Sequence, residues 1–219
     1  MARLVIFGAG DIARLAHYYF THDSAHEVVA FSADAAYVKE AAFLGLPLVP
    51  FEEVERRYPP GDHQMFVALS YARMNHARAE KCDAAAAKGY ALASYVSSRC
   101  TYLAPSPPGP NAFILEDNTV QPFVAIGRDV TLWSGNHIGH DSVIGDHVFI
   151  SSHVVVSGHV HIEPFCFLGV NATLRNGIRL ATGTLVGAGA ALMEDTTPEG
   201  VYLAARAKLS SRKSSEIEL

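Results

Sequence analysis

The residues best placed to do chemistry are His140 and Asp141, followed eighteen positions later by Gly158. An imidazole can act as a general base, and a carboxylate beside it can orient it. A glycine offers a backbone N–H to an oxyanion, and its missing side chain lets a carbonyl group approach closely. These groups could together catalyse acyl transfer if the fold brings residues that are eighteen positions apart into contact.

A six-residue repeat supplies that spacing. Every sixth residue from Ile114 to Leu192 is a branched aliphatic, fourteen times in succession. A helix has a period of about 3.6 and a flat strand a period of about 2, so neither explains the repeat. A triangular coil does, because each of its three faces points one apolar residue inward and eighteen residues close a turn. The repeat predicts a parallel β-helix over residues 97–198. Stacked strands lie about 4.8 Å apart, which places His140 one coil below Gly158.

Other positions of the hexad carry further predictions. Small or medium side chains stand four residues after each aliphatic and are predicted to face inward, which makes Cys166 a core residue and not a nucleophile. Glycine often stands directly after the aliphatic, as at Gly127, Gly139 and Gly169, and is interpreted as tolerating the dihedral angles of a tight corner. The next two residues are predicted to project outward at the corner.

Residues 1–96 alternate strand-like and helix-like segments. This alternation predicts an α/β, Rossmann-like domain with a small parallel sheet covered by helices. Residues 105–110 are predicted to form a loop or linker, and the hexad pattern stops before a tail at 199–219, whose part 210–218 is a short helix or disordered. The predicted strands span 3–7, 27–32, 64–70 and 91–96, and the predicted helices span 12–21, 51–57 and 72–88.

The glycine-rich segment at 8–13 follows a predicted strand and opens a predicted helix, the context in which backbone amides meet a phosphate. Asp34, just beyond the second strand, could accept a hydrogen bond from a ribose hydroxyl. We favour a nucleotide or nucleotide-sugar site. An NAD site is less favoured, because a complete dinucleotide fold needs two such halves, and a purely structural βα turn stays open.

Histidines are numerous, and six of the eleven lie close together in the sequence. Their spacing does not match the three-histidine zinc site of a trimeric β-helix carbonic anhydrase, so we predict that no metal is bound. Except for His140 and His137, we expect these histidines to lie exposed to solvent at a corner of the coil, without a chemical role. The six are His137, His140, His147, His153, His159 and His161.

Composition excludes several classes of protein. The 219 residues are 49% hydrophobic and 18% charged, which suits a packed globular protein. A net charge of −5 gives no case for nucleic-acid binding. The apolar stretches are too short to span a bilayer, and the basic-then-apolar pattern of a signal peptide is missing. Three widely spaced cysteines fit a reducing compartment, so we expect a cytoplasmic protein.

The order of these motifs resembles a known family. A Gly8-Ala9-Gly10 turn and a small α/β domain are followed by residues 136–141 and 167–172 inside a hexapeptide helix. This arrangement resembles the bacterial nucleotide-sugar acetyltransferases, above all the N-acetyltransferases of bacillosamine and perosamine precursors, which are also grouped with sialic acid O-acetyltransferases. The resemblance covers nearly the whole chain.

The resemblance implies a left-handed β-helix, a homotrimer and a role in surface polysaccharide biosynthesis. His140 would be the general base with Asp141 beside it, and the Gly158 amide would hold the thioester oxygen of acetyl-CoA. The remaining implied residues form two groups. Acetyl-CoA would contact Val170, Ala188, Arg206 and Lys208, and the nucleotide of the sugar would contact Gly8, Gly10, Asp11 and Asp34.

The reaction that follows is acetyl transfer from acetyl-CoA to the amine of a nucleotide-linked 4-amino-4,6-dideoxysugar. Transfer to a sugar hydroxyl is an alternative, and a non-catalytic β-helix that binds a sugar nucleotide is another. The sequence does not identify the sugar, the base or the length of the acyl chain.

Overall fold

A computed structural model describes residues 2–218. The N-terminal region alternates strands and helices, and two short 3₁₀ turns at Ala35–Tyr37 and Phe51–Glu53 join them. Its elements are β1 (Ala2–Phe7), α1 (Asp11–His22), β2 (His26–Ala33), β3 (Ala42–Phe43), β4 (Leu46–Pro50), α2 (Val54–Arg57), β5 (His63–Val67), α3 (His76–Ala87) and β6 (Ala91–Leu92).

These strands form one six-stranded sheet in the order β3-β4-β2-β1-β5-β6. All neighbours are parallel except β3 and β4, which make a hairpin. β1 lies near the centre and is buried from Leu4 to Phe7, as an apolar strand covered on both faces should be. The prediction missed β3 and β4, which are short and carry no strong alternation.

The predicted helix at 72–88 begins four residues later than expected. Arg73, Met74 and Asn75 all have left-handed backbone conformations, with φ of 53°, 51° and 69°, so the chain makes a left-handed turn before α3. Asn75 is fully buried, and its side-chain amide donates to the Cys166 carbonyl at 3.2 Å. This contact with the C-terminal region fixes a turn that L-residues otherwise disfavour.

The C-terminal region consists of two-residue strands, as the hexads predict. Residues 103–112 carry no helix or strand, which agrees with the predicted loop, and a 3₁₀ turn at Ser214–Glu216 lies in the tail. The strands are β7 (Tyr95–Val96), β8 (Thr101–Tyr102), β9 (Phe113–Ile114), β10 (Thr119–Val120), β11 (Ala125–Ile126), β12 (Thr131–Leu132), β13 (His137–Ile138), β14 (Val143–Ile144), β15 (Phe149–Ile150), β16 (Val155–Val156), β17 (His161–Ile162), β18 (Phe167–Leu168), β19 (Thr173–Leu174), β20 (Arg179–Leu180), β21 (Leu185–Val186), β22 (Ala191–Leu192) and β23 (Val201–Tyr202).

The strands stack into the three parallel faces of a triangular β-helix. We call them the first face (β8, β10, β13, β16, β19, β22), the second face (β11, β14, β17, β20) and the third face (β7, β9, β12, β15, β18, β21, β23). The register confirms the period of eighteen, since His137 pairs with Val155. All fourteen aliphatic residues of the repeat are buried in one continuous core.

The inward position four residues after each aliphatic is also confirmed. Cys166 is fully buried there, and burial raises the pKa of its thiol to about 11, so it is not a nucleophile. The role predicted for the glycines is wrong. A Cβ on Gly139 would lie 2.5 Å from the Gly158 nitrogen, and one on Gly169 would lie 2.6 Å from the Ala188 nitrogen. Glycine is needed because neighbouring coils approach closely.

The left-handed conformation occurs instead three residues after thirteen of the fourteen aliphatics, all except Leu192. Eleven of these thirteen positions hold Asp, Asn, His or Gly, the types that adopt this conformation most readily. They are Asp117, Asp129, Gly135, Asp141, His147, His153, His159, Asn171, Gly177, Gly183 and Gly189, and the other two are Phe123 and Phe165.

The N-terminal region packs on the third face. Tyr71 lies edge-on to Phe149, with ring centroids 5.1 Å apart, and contacts Phe167 at 4.9 Å. Phe113 belongs to the same buried cluster as Leu4 of β1. The predicted strand at 91–96 is divided, because β6 joins the N-terminal sheet whereas β7 pairs with β9 of the β-helix. The boundaries at 96 and 198 remain predictions.

The expectation that His147 lies exposed to solvent at a corner of the coil is wrong. It is buried, stacks on Phe165 and lies 2.8 Å from the Asp129 carboxylate through Nδ1. Arg78 of α3 is also buried and donates to the Asp129 carboxylate at 2.8 Å. The corner between the second and third faces is therefore covered by α3, which the hexad pattern alone does not reveal.

Within residues 2–218, none of the helices combines the length and apolar character that crossing a bilayer requires.

Candidate active site

The corner between the first and second faces carries His140 and Asp141, and we call it the histidine corner. Strand β13 ends at Ile138, whose buried side chain fixes the register, so the next residues turn outward. The Asp141 carboxylate lies 2.8 Å from Nδ1 of His140. The His140 backbone N–H donates to the Gln121 side-chain oxygen at 2.9 Å. Both catalytic candidates are about half exposed, at 50% and 43% of their side-chain surface.

The His140 ring lies against Gly158, as the eighteen-residue period predicts. A Cβ built on Gly158 would fall 2.7 Å from Nε2 of His140, so a larger residue at this position would displace the ring. Within residues 2–218 no hydrogen bond uses the Gly158 N–H. Because Nδ1 faces a carboxylate, the neutral ring carries its proton there and keeps a lone pair on Nε2. The corner thus places a ring nitrogen that can accept a proton next to the backbone of Gly158.

His159 was expected to have no chemical role, but its ring centroid lies 5.0 Å from that of His140. Ligand atoms of His140, Asp141 and His159 all lie within 4.8 Å of one another, so these three exposed side chains form a group that could hold a cation. The donor set suits zinc, which prefers four ligands including histidine and carboxylate. That no metal is bound remains a prediction.

A concave site lies at the carboxyl edge of the N-terminal sheet. This sheet-edge cleft has a volume of about 770 Å³, and Gly8, Gly10 and Asp34 all line it. Gly8 has φ of 126°, and a Cβ there would meet the Ala68 carbonyl oxygen at 2.8 Å, so glycine is obligatory. Gly10 is the N-cap of α1 and has open space where a side chain would be. The start of a twelve-residue helix is thereby open to an anion.

The sequence did not predict the charged side chains across the cleft. Lys81 of α3 lies 2.5 Å from the Asp34 carboxylate and sits over the Phe7 and Phe51 rings. Lys39 and Arg73 also line the cleft, and Arg73 is placed there by the left-handed turn before α3. Only the buried contacts of that turn determine its shape, so no local signal predicts it.

Asp11 is not among the residues that line the cleft. Its side chain is 90% exposed and lies 3.5 Å from Arg14 on the first turn of α1. The prediction that Asp11 contacts the nucleotide is therefore not supported by this arrangement.

Val170 and Ala188 lie on another corner, between the third and first faces, one directly above the other and both exposed. They do not share a corner with His140 in the same chain. Arg206 and Lys208 follow β23 in an exposed segment without helix or strand. The structure thus brings His140, Asp141 and Gly158 together and leaves the other residues expected at acetyl-CoA apart from them.

The two sites lie on different sides of the β-helix. The histidine corner is the vertex of the triangle opposite the third face, and the third face carries the N-terminal region with its sheet-edge cleft. The β-helix therefore lies between His140 and the region that carries the cleft of its own chain.

The sequence of residues 124–158 matches the profile of a family described as bacterial transferase hexapeptide (six repeats). This match lies within the β-helix.

Several solved structures share the fold over nearly the entire chain. PerB from Caulobacter crescentus, solved with CoA and GDP-perosamine, has a TM-score of 0.82 at 21% identity and covers 96% of this chain and 98% of its own. The acetyltransferase domain of PglB from Neisseria gonorrhoeae FA1090 has a TM-score of 0.78 at 23% identity, over 93% and 97%. WeeI from Acinetobacter baumannii AYE has a TM-score of 0.76 at 18% identity, over 92% and 96%. These likenesses show the fold.

Proposed function

We propose that this protein is an acetyl-CoA-dependent N-acetyltransferase that acts on the amino group of a nucleotide-linked 4-amino-4,6-dideoxysugar. The observation that carries the proposal is the packing of His140 on Gly158, which puts a free Nε2 lone pair beside a free backbone N–H. The fold agrees with it, since the similar PerB structure is described as a complex with CoA and GDP-perosamine.

In the proposed mechanism His140, Asp141 and Gly158 carry out the chemical steps. The thioester carbonyl of acetyl-CoA would accept the Gly158 N–H, which stabilises the developing oxyanion. The neutral amine attacks this carbonyl carbon while Nε2 of His140 takes its proton, and Asp141 stabilises the imidazolium. The C–N bond forms and the C–S bond breaks. The proton then passes from His140 to the CoA sulfur, leaving an amide and a free thiol.

The sheet-edge cleft would bind the nucleotide of the acceptor, in a Rossmann-like domain. The open start of α1 at Gly10 and the Lys81 ammonium suit the diphosphate, since helix N-termini and charge-assisted hydrogen bonds favour anions. Asp34 would accept a hydrogen bond from a ribose hydroxyl.

A homotrimer would unite the two sites. Because the β-helix separates His140 from the cleft of its own chain, an acceptor bound in that cleft would reach the histidine corner of a neighbouring subunit. Likewise acetyl-CoA would lie between a histidine corner and the corner of another subunit that carries Val170 and Ala188, with Arg206 and Lys208 near its 3′-phosphate. We infer a left-handed coil and a cytoplasmic enzyme on the strength of the hexads and the cysteine pattern.

A thiol-release assay tests the proposal. The purified protein is incubated with acetyl-CoA and a panel of UDP-, dTDP- and GDP-linked 4-amino-4,6-dideoxysugars, with the corresponding 4-hydroxy sugars as matched controls. We expect stoichiometric release of CoA thiol with at least one aminosugar and a product that resists hydroxylamine, as an amide does. Thiol release with no aminosugar nucleotide in the panel would contradict the proposal, and a product cleaved by hydroxylamine would show O-acetylation.

A further inference from the structure

Two of the left-handed positions in the hexads hold phenylalanine instead of Asp, Asn, His or Gly. They are Phe123 and Phe165, and packing explains only Phe165. A bulky aromatic residue is an outlier in this backbone region. Phe165, with φ of 63°, stacks on His76 with centroids 4.1 Å apart and on His147, so it is fixed in the junction between the two regions. Phe123, with φ of 66°, is 69% exposed, and within residues 2–218 no aromatic ring packs against it.

Phe123 belongs to the histidine corner. It lies eighteen residues before Asp141, in the same column and one coil below. The Asp141 N–H donates to the carbonyl of the neighbouring Pro122 at 3.3 Å, which confirms this stacking. A largely exposed aromatic side chain in a strained backbone conformation, beside the proposed catalytic pair and without an aromatic partner within residues 2–218, points to a ligand.

We propose that the Phe123 ring is the specificity-determining wall for the 6-deoxy end of the acceptor sugar. This inference rests on the proposed function. The thioester would lie at Gly158, one coil above His140, so the acceptor amine must approach from the coil below, where Phe123 projects. In a 4-amino-4,6-dideoxysugar the carbon next to the amine-bearing C4 carries the C6 methyl group. A coil spacing of about 4.8 Å lets the aromatic ring cover this methyl while the amine faces His140.

The contact would discriminate against a hydroxymethyl group at the same carbon. An added hydroxyl has no partner over an aromatic face and must lose water there, whereas a methyl group gains contact. Hydrophobic pockets discriminate between such analogues by about 10–200-fold. We therefore expect the protein to prefer the 6-deoxy acceptor over its 6-hydroxy counterpart within that range.

The test compares Phe123→Asn with Phe123→Tyr. Asparagine tolerates the left-handed conformation and removes the ring, whereas tyrosine keeps the ring. For each variant, kcat/KM is measured with a nucleotide-linked 4-amino-4,6-dideoxysugar and with the matching 4-amino-4-deoxysugar that keeps its C6 hydroxyl. We expect Phe123→Asn to reduce the preference for the 6-deoxy sugar by about tenfold, and Phe123→Tyr to retain most of it. In Phe123→Asn the KM for acetyl-CoA should not rise and the midpoint of thermal unfolding should not fall.

Three outcomes would overturn the inference. One is an unchanged preference in an active Phe123→Asn protein, and another is an equal loss of activity with both sugars. A third is a change of oligomeric state, measured by light scattering, which would make Phe123 a subunit contact. If the wild-type protein acetylates no aminosugar nucleotide at all, the proposed function fails first, so the two failures are distinguishable.

Discussion

The histidine corner and the sheet-edge cleft solve different physical problems. The corner consists of a few outward residues on a repeating frame, and the buried aliphatic beneath each one holds it in register. The cleft is a larger concavity at the edge of a sheet, where a helix start, Asp34 and Lys81 come from separate elements. Under the proposed function catalysis and acceptor binding are divided between them, so changes at the corner should lower kcat and changes in the cleft should raise KM for the acceptor.

The largest effect is expected for His140→Ala. Removing the base should lower kcat by about 10²–10⁴-fold, the usual contribution of general-base catalysis, with little change in acetyl-CoA binding. His161→Ala, which removes an exposed histidine from the second face, is the matched control and should behave like the wild type. Steady-state kinetics measure both, and wild-type turnover in His140→Ala would refute the assignment.

The second-largest effect is expected for Gly158→Ala. The added methyl group would lie 2.7 Å from Nε2 of His140 and displace the imidazole. A misplacement of about 1 Å can cost about 10²-fold in rate, so we expect a fall in kcat of that order without loss of the fold. Gly61→Ala is the control, because open space surrounds that position. A Gly158→Ala enzyme with normal kcat would show that the two residues do not act together.

Lys81→Met should affect the other region alone. Loss of a charge-assisted hydrogen bond to a phosphate costs about 1.5–3 kcal/mol, or about 10–100-fold in the KM of the acceptor, with kcat nearly unchanged. Lys88→Met is the matched control, since Lys88 also pairs with a carboxylate and lies over Phe51, yet does not line the cleft. A fall in kcat at saturating acceptor would contradict the assignment of Lys81 to acceptor binding alone.

The smallest effect concerns a contact that touches neither site. Hydrogen bonds from Ser98 and Tyr95 lower the pKa of Asp23 from its ordinary 3.8 to about 2. Because the folded pKa is the lower one, the stabilisation is complete above pH 3.8 and is lost as the pH falls towards 2. Asp23→Asn should therefore destabilise the protein by about 1 kcal/mol at neutral pH, and the difference should vanish near pH 2. Denaturant unfolding at several pH values measures it, and a pH-independent difference would contradict this cause.

The two regions also differ in how far the sequence predicts them. A period of eighteen fixes the column of every residue in the β-helix, so the pairing of His140 with Gly158 follows from counting. In the N-terminal region the strands and helices are predictable from alternation, but the left-handed turn at residues 73–75 depends on the buried contact of Asn75 with the β-helix. For the same reason Arg73 and Lys81 were missed as cleft residues, and His147 was placed in solvent although α3 covers it.

The most direct test of a site shared between subunits is complementation in mixed trimers. His140→Ala and Lys81→Met chains are co-expressed with different tags, and trimers that contain both are isolated on both affinity resins. If base and cleft come from neighbouring subunits, every such trimer has one intact site, so we predict about one third of the wild-type activity at acceptor concentrations well below KM. Activity no higher than that of the two parent variants would contradict the account, because it would place both halves of the site within one chain.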